Sequence, residues 1–434
     1  MAPVLWPGRN AGAVNYISAP PDAAFAGLAR RKLVILGSTG SIGCNALKVA
    51  SQAQGRLEIL ALAGGDNVKL LLEQARRWRP AWLAVRTREL AQQLEMGLEP
   101  GYRPTVLYGQ AGYAELATLA LADLILSAQS GSAGLAATLA AARAGKVIAL
   151  ANKESLVLAG ELIRRICACS GAVILPVDSE HYAIFQCAAG RGDAVRSITL
   201  TASGGPFLHA APAEMANAAP AAALKHPAWK MGPKISIDSA SLMNKGLEFI
   251  EAMHLYGLEP DRISILVHPQ AIIHSLVTLG DNSQIAQLGT ADMRLAIGGC
   301  LLWPQARESF IAPLDLTRTG SLTFLAPDLD RFPCLALALA AARHVPDATW
   351  RKTGLNPASI VLNAANEAAV ELFLRGDCRF GDIACMIRSA LGPWLDGNGP
   401  ELKNDASPGQ ELELIESIAA QARSVATASQ SAQS

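Results

Sequence analysis

The stretch 32–43, KLVILGSTGSIG, constrains the fold more than any other part of the chain. An apolar strand-like run ends in glycines spaced GxxGxxG, and a helical pattern begins directly behind them. Glycine lets backbone approach a neighbour closely, and a helix start offers oriented N–H groups with partial positive charge. The same alternation continues through a helical stretch at 41–53, LEILALAG, a second helical stretch at 68–78, then AWLAV, LADLILSA and VIALA. Continuous apolar runs separated by helical stretches predict parallel strands covered on both faces, an α/β domain. For the glycine motif alone, a tight turn without a ligand remains the alternative.

Residues 172–300 bring further strands, AVILPVD, SITLTAS and ISILVHP, a loop rich in Pro, His and Trp at 225–234, and a helix near 240–256. This predicts an α+β region. Ala- and Leu-rich segments at 333–344, 357–375 and 380–393 predict a helical bundle, in which Asn356 caps a helix with Pro357 at its first position and Gly376 just past its end. The expected boundaries are a disordered extension at 1–30, a dinucleotide-binding domain at 31–178, a catalytic α+β domain at 179–302, a linker at 303–333, a helical domain at 334–420 and a flexible tail at 421–434.

With 434 residues the chain exceeds one compact core, and 51% hydrophobic against 17% charged residues excludes general disorder. Basic and acidic residues number 37 each with no basic run, which argues against nucleic acid and anionic membranes as partners. The apolar stretch 124–142 is too broken by Ser127, Gln129, Ser130, Gly131, Ser132 and Gly134 to span a bilayer. The first thirty residues lack a secretory pattern. Eight cysteines without a CxxC pair read as thiols in a reducing compartment, the cytoplasm. Cys167 and Cys169 read as core, and His268 and His274 as structural.

Three further segments carry chemistry. In 176–181, PVDSEH, strand periodicity puts Asp178 and Glu180 on one face, where two carboxylates suit a hard divalent ion; a solvated strand end is the alternative. In 234–257, Ser239 stands where it can cap a helix, with Asn244, Lys245 and Glu248 close behind it. A hydroxyl, an amide and an ammonium suit a phosphate monoester, and Glu248 offers a third carboxylate; an ordinary amphipathic helix is the alternative. Ser203 in 201–206, TASGGP, is a companion hydroxyl, and 226–232, HPAWKMG, has the composition of a mobile flap. Asp66, after the second strand, leaves the choice between NADH and NADPH open, because an acid there binds ribose hydroxyls while a 2′-phosphate avoids it.

In order along the chain, GSTGSIG, LANKESLV, LPVDSEHYAIFQ, SGGPF, HPAWKMG, KISIDSASLMNKGLEFIEA, HPQAIIHS and LNAANE resemble the 1-deoxy-D-xylulose 5-phosphate reductoisomerases, from about residue 31 to beyond 390. The resemblance implies a Rossmann-like N-terminal dinucleotide-binding domain, a central α+β catalytic domain and a C-terminal helical bundle. It implies an NADP-dependent oxidoreductase of the non-mevalonate isoprenoid pathway. This enzyme would rearrange its substrate and reduce it to 2-C-methyl-D-erythritol 4-phosphate with NADPH and Mg2+ or Mn2+.

By the same resemblance, Asp178, Glu180 and Glu248 would hold the metal. Gly37, Thr39, Gly40, Ser41, Ile42, Gly65, Asn67, Asn152 and Glu154 would bind the cofactor. Lys153, Ser179 and Glu180 would contact substrate oxygens. Ser203, His226, Ser239, Asn244 and Lys245 would take the phosphate, with Glu248 beside them, and Trp229 and Met231 would belong to the flap. A homodimer is implied. Asp66 departs from the family pattern, since a carboxylate there repels a 2′-phosphate unless it points away. A plain sugar-phosphate dehydrogenase would have no use for three carboxylates together, and a degenerate dinucleotide sensor should have lost some of them.

Overall fold

The structure is a computed structural model and describes residues 17–191, 194–226, 229, 231–304, 310–397, 399 and 410–431. The chain forms two compact units, each assembled from separated stretches. The first takes residues up to 155, 163–195 and 292–313, and the second takes 156–162, 196–291 and 314–434. The sequence reading draws consecutive blocks instead; local patterning does not reveal which segments return to an earlier core.

The first unit holds seven strands, β1 Arg31–Leu36, β2 Leu57–Ala63, β3 Trp82–Val85, β4 Thr105–Tyr108, β5 Leu124–Ser127, β6 Val147–Leu150 and β7 Val173–Pro176. They lie in the order β4-β3-β2-β1-β5-β6-β7, every neighbouring pair parallel. Leu33, Val34, Ile35 and Leu36 are all fully buried. That is why β1 reads as one apolar run without alternation: helices cover both faces. The chain winds outward from β1 to β4, then returns to β5 on the other side of β1. Strand order reverses there, and open α/β sheets bind ligands beyond the carboxyl ends of their strands at such a point.

The expected disordered extension is corrected for residues 17–30; residues 1–16 lie outside the described ones. Ile17 accepts a hydrogen bond from Ile174 N–H at 3.0 Å, and Phe25 is buried. Arg31, itself 3% exposed, stacks over the Phe25 ring at 4.2 Å and donates to the carbonyls of Phe25, Leu301 and Trp303. This buried guanidinium ties both the N-terminal segment and the segment around 301–303 to β1.

In the second unit, β8 Val195–Ala202, which enters it at Arg196, forms a mixed sheet with β9 Ile263–Val267, β10 Ile273–Leu279 and β11 Gln284–Leu288 in the order β11-β10-β8-β9. The strands β8 and β9 are parallel, and β10 and β11 antiparallel. A helix starts at Pro233 and ends at Ala240, Leu242 turns left-handed at φ 57°, and a second helix runs Met243–Tyr256 to a left-handed Gly257. Ser239 therefore lies inside the first helix and does not cap the second. Proline at the first helical position begins the structure earlier than the apolar pattern indicates.

The bundle helices Pro333–Arg343, Pro357–Arg375 and Asp382–Leu395 form, with Asn356 accepting from Ala358 N–H and Gly376 left-handed at φ 84°. Two further expectations are corrected. Within 303–333, Leu325 pairs with Val267 as a β-bridge and Arg331 donates to the carbonyls of Leu208 and Ala210, so this stretch is packed; residues 305–309 lie outside the described ones. The expected tail at 421–434 is helical as far as Ser431, as the end of a helix Glu411–Ser431, because Ala422 and Ala426 are buried and Arg423 pairs with Glu367. Residues 432–434 lie outside the described ones.

Candidate active site

The glycine motif sits at the carboxyl end of β1, beside the reversal of strand order. Gly37 has φ +94°, and a Cβ there would stand 2.3 Å from Ala128 O. A Cβ on Gly43 would stand 2.3 Å from Gly37 O, so the turn closes only with glycine at both positions. Gly40 caps the helix Ser41–Gln52 with no side-chain acceptor on the first turn. The N–H groups at Ser41 and Ile42 thus carry the uncompensated positive end of the helix, which fits a pyrophosphate. Thr39 packs its methyl against Gly64 at the end of β2, where a Cβ would meet it at 3.3 Å. Nothing lies within 4 Å of the Cβ position of Gly65, and Asn67 caps the next helix by accepting from Leu70 N–H.

Two strands further on, the carboxyl end of β6 leads into the helix Lys153–Ser170. Asn152 caps it and is 1% exposed. Its Nδ2 donates to Gln129 O and Gly131 O, both at 2.8 Å, and contacts Glu154 Oε2 at 3.2 Å. Its amide is engaged by the protein itself, so Asn152 holds the loop after β5 and orients Glu154. At the end of β7, Asp178 is the N-cap of the helix Ser179–Ala188 yet makes no capping bond. It faces Lys153 Nζ instead, 2.7 Å away. Burial alone would push the Asp178 carboxyl up; Lys153, with His181 and a hydrogen bond to Glu180, brings it well below the usual range. Carboxylate oxygens of Asp178 and Glu180 lie within 4.8 Å of each other, and Ser179 Oγ donates to Glu180 Oε2 at 2.6 Å. Their proximity comes from a helix start and not from strand periodicity, because β7 ends at Pro176.

The second unit gathers the remaining candidates. Trp229 N–H donates to His226 Nδ1 at 2.9 Å, so the neutral His226 ring carries its proton on Nε2 and donates to Ser203 Oγ at 3.0 Å. Gly204 and Gly205 have φ +85° and +67°, and a Cβ on Gly205 would stand 2.8 Å from Ser239 O. This close approach brings the Ser203 loop against the helix that carries Ser239. On the following helix Lys245 pairs with Glu248, at 3% and 1% side-chain exposure, and Asn244 Nδ2 donates to the other Glu248 oxygen. Pro227, Ala228 and Lys230 of the expected flap lie outside the described residues. The Trp229 ring centre is 6.0 Å from that of His274.

Sequence profiles of a 1-deoxy-D-xylulose 5-phosphate reductoisomerase domain match residues 33–160, and those of its two C-terminal domains match 174–256 and 288–425. The chain belongs to the 1-deoxy-D-xylulose 5-phosphate reductoisomerase family. A reductoisomerase of Oleidesulfovibrio alaskensis is 52% identical over 406 residues, 93% of this chain and 95% of that protein. One from Nitratidesulfovibrio vulgaris is 54% identical over 388 residues, covering 89% and 92%. The crystal structure of a DOX-P reductoisomerase in complex with NADPH, fosmidomycin and magnesium superposes with a TM-score of 0.85 at 41% identity, over 92% of this chain and 98% of that one. The Zymomonas mobilis reductoisomerase in complex with NADPH gives 0.81 at 41% identity, over 92% and 99%.

Within this reductoisomerase chain two further residues lie beside candidate site residues: Arg86, which the sequence did not single out, and His274, which it marked as structural. Arg86, just past β3, donates to Asp66 at 2.7 Å. The parallel register pairs Ala63 with Ala84, which places the two side chains at one edge; strand order, unlike composition, would have foretold this. His274, expected to be structural, is 4% exposed, with the Trp229 ring centre 6.0 Å from its own. His268 does fit a structural role: it stacks on Phe324 at 4.9 Å, and its ring nitrogens bond Thr323 O and Ile272 N–H. Of the two expected core cysteines, Cys167 is buried and Cys169 exposed.

Proposed function

We propose that this chain converts 1-deoxy-D-xylulose 5-phosphate to 2-C-methyl-D-erythritol 4-phosphate for isoprenoid biosynthesis, using NADPH and a divalent cation. The observation that carries this most directly is the Asp178–Glu180 pair on a helix start, with Lys153 against it. An N-cap aspartate that leaves its own helix uncapped is held for another partner, and hard carboxylate oxygens fit Mg2+ or Mn2+.

Asp178, Glu180 and Glu248 hold the ion in this proposal. When bound, the ion supplies Lewis-acid polarisation of the ketose oxygens, and NADPH supplies the hydride. Lys153 and Ser179 contact substrate hydroxyls. Ser203, Ser239, Asn244 and Lys245, with the His226 backbone, take the phosphate; Lys245 then exchanges Glu248 for the phosphate as partner. Gly37, Thr39, Gly40, Ser41 and Ile42 cradle the pyrophosphate, Gly65 and Asn67 lie at the adenosine, and Asn152 orients Glu154 towards the nicotinamide half. Trp229 and Met231 cover the bound substrate and exclude water, which strengthens every charge interaction beneath them.

No helix among the described residues is long and apolar enough to cross a membrane. The eight cysteines are free thiols, which fits a reducing cytoplasm. A homodimer is the expected assembly. Mixing the purified protein with 1-deoxy-D-xylulose 5-phosphate, NADPH and Mg2+ should oxidise the cofactor in proportion to product, and fosmidomycin should stop it. Lack of cofactor oxidation with both Mg2+ and Mn2+ would refute the assignment.

A further inference from the structure

Asp66 and Arg86 leave the carboxyl ends of adjacent strands, β2 and β3, next to the glycine turn of β1. Arg86 Nε donates to Asp66 Oδ1 at 2.7 Å, and Arg86 N–H reaches Gly65 O at 3.4 Å. Side-chain exposure is 66% for the arginine and 59% for the aspartate, so the pair adds little to folding stability. Among the described residues no other hydrogen bond engages this guanidinium, and Gly65 beside it leaves open backbone against which a ribose can lie. In a dinucleotide fold an acid after the second strand takes the ribose hydroxyls and excludes a 2′-phosphate, unless a nearby arginine accommodates it. Here the acid is already held by an arginine.

We propose that Arg86 binds the 2′-phosphate of NADPH and that Asp66 is its positioning residue. The bond to Asp66 uses Nε only, so the two Nη groups form the edge of a rigid fork that matches phosphate oxygens two at a time. Asp66 fixes the fork, while Arg86 offsets the carboxylate that would otherwise repel the phosphate. A chain that lacks a basic residue immediately after β2 thus obtains one from the end of β3. This assignment rests on the cofactor reading above.

Equilibrium binding of NADPH and NADH, followed by the fluorescence of the bound reduced nicotinamide, tests it without turnover. Competition with adenosine 2′-monophosphate and adenosine 5′-monophosphate isolates the phosphate. Arg86→Gln should weaken NADPH by about 10- to 100-fold, leave NADH within about twofold, and abolish the preference for the 2′-monophosphate. Arg86→Lys, which keeps the charge and loses the fork, should fall between. Asp66→Asn keeps an acceptor oxygen for Arg86 and should retain the NADPH preference. Equal losses for both dinucleotides in Arg86→Gln, or none for either, would overturn the role of Arg86. Failure of the unaltered protein to bind either dinucleotide would instead overturn the cofactor reading, and this inference with it.

Discussion

Lys153 Nζ lies 2.7 Å from Asp178 Oδ2, with side-chain exposures of 7% and 15%. The residues come from the starts of two successive helices, after β6 and β7, and these neighbouring parallel strands end at the same edge of the sheet. Burial by itself raises the Asp178 carboxyl, and the Lys153 ammonium beside it brings it well below the usual carboxylate range.

Lys153→Met should therefore act on stability as well as on activity. Leaving Asp178 without its cation is expected to cost about 3 kcal/mol, read by chemical denaturation. The double variant Lys153→Met/Asp178→Asn should recover most of that loss while turnover stays at least about 100-fold down. Recovery of turnover in the double variant would contradict a role for Lys153 and Asp178 in the reaction.

Glu248 is 1% exposed and held by Lys245 and Asn244. Glu248→Gln keeps one acceptor oxygen and sets an amide NH2 against the other donor, so circular dichroism should first establish that the variant is folded. Loss of one hard anionic ligand should lower turnover by about 100-fold or more at saturating Mg2+. Dinucleotide affinity should be unchanged. Near-normal turnover would sink the metal assignment.

Gly43→Ala and Gly65→Ala should behave oppositely in folding. The added methyl at 43 meets Gly37 O at 2.3 Å and Ser38 Cα at 2.5 Å, both backbone, so the turn must open. We expect about 1–3 kcal/mol of destabilisation and weaker NADPH binding. At 65 nothing lies within 4 Å, and thermal stability should be unaltered. Equal melting temperatures for Gly43→Ala and the unaltered protein would refute the turn geometry.

Burial above all, with Lys245 nearby, pushes the His274 imidazole down to about 4, although backbone hydrogen bonds at Gly289 and Thr290 favour the protonated ring. Between about pH 6.5 and pH 4 the unfolded chain holds a proton at this residue and the folded one does not. Stability from His274 is thus complete above pH 6.5 and is lost as pH falls through that window. His274→Gln removes the effect. The stability gap between the two proteins should change by about 2–3 kcal/mol from pH 7 to pH 4.5 in favour of the variant. A gap independent of pH would mean that the ring is solvated.

The α/β class, the glycine turn and the reductoisomerase blocks were all legible in the sequence, because each is written in consecutive residues. Asp178 and Glu180 were found for a partly mistaken reason: spacing along a strand suggested one face, whereas a helix begins at Ser179. The Ser239 cap failed because Pro233 starts a helix that the apolar pattern alone does not mark. The disordered extension and the flexible tail failed on polar composition, which is silent on the few apolar residues, such as Phe25, Ala422 and Ala426, that find a core to enter.

By itself the sequence determined the turn that only Gly37 and Gly43 can close, the alternation that makes a parallel sheet, and the supply of carboxylates, hydroxyls and lysines. These depend on dihedral freedom, side-chain period and functional groups, all properties of neighbouring residues. Only the tertiary structure decided which side chains face each other: Arg86 with Asp66, Lys153 with Asp178, and His274 with the Trp229 ring. Those pairings depend on strand order and on the points where helices start at a sheet edge, and long-range packing fixes both.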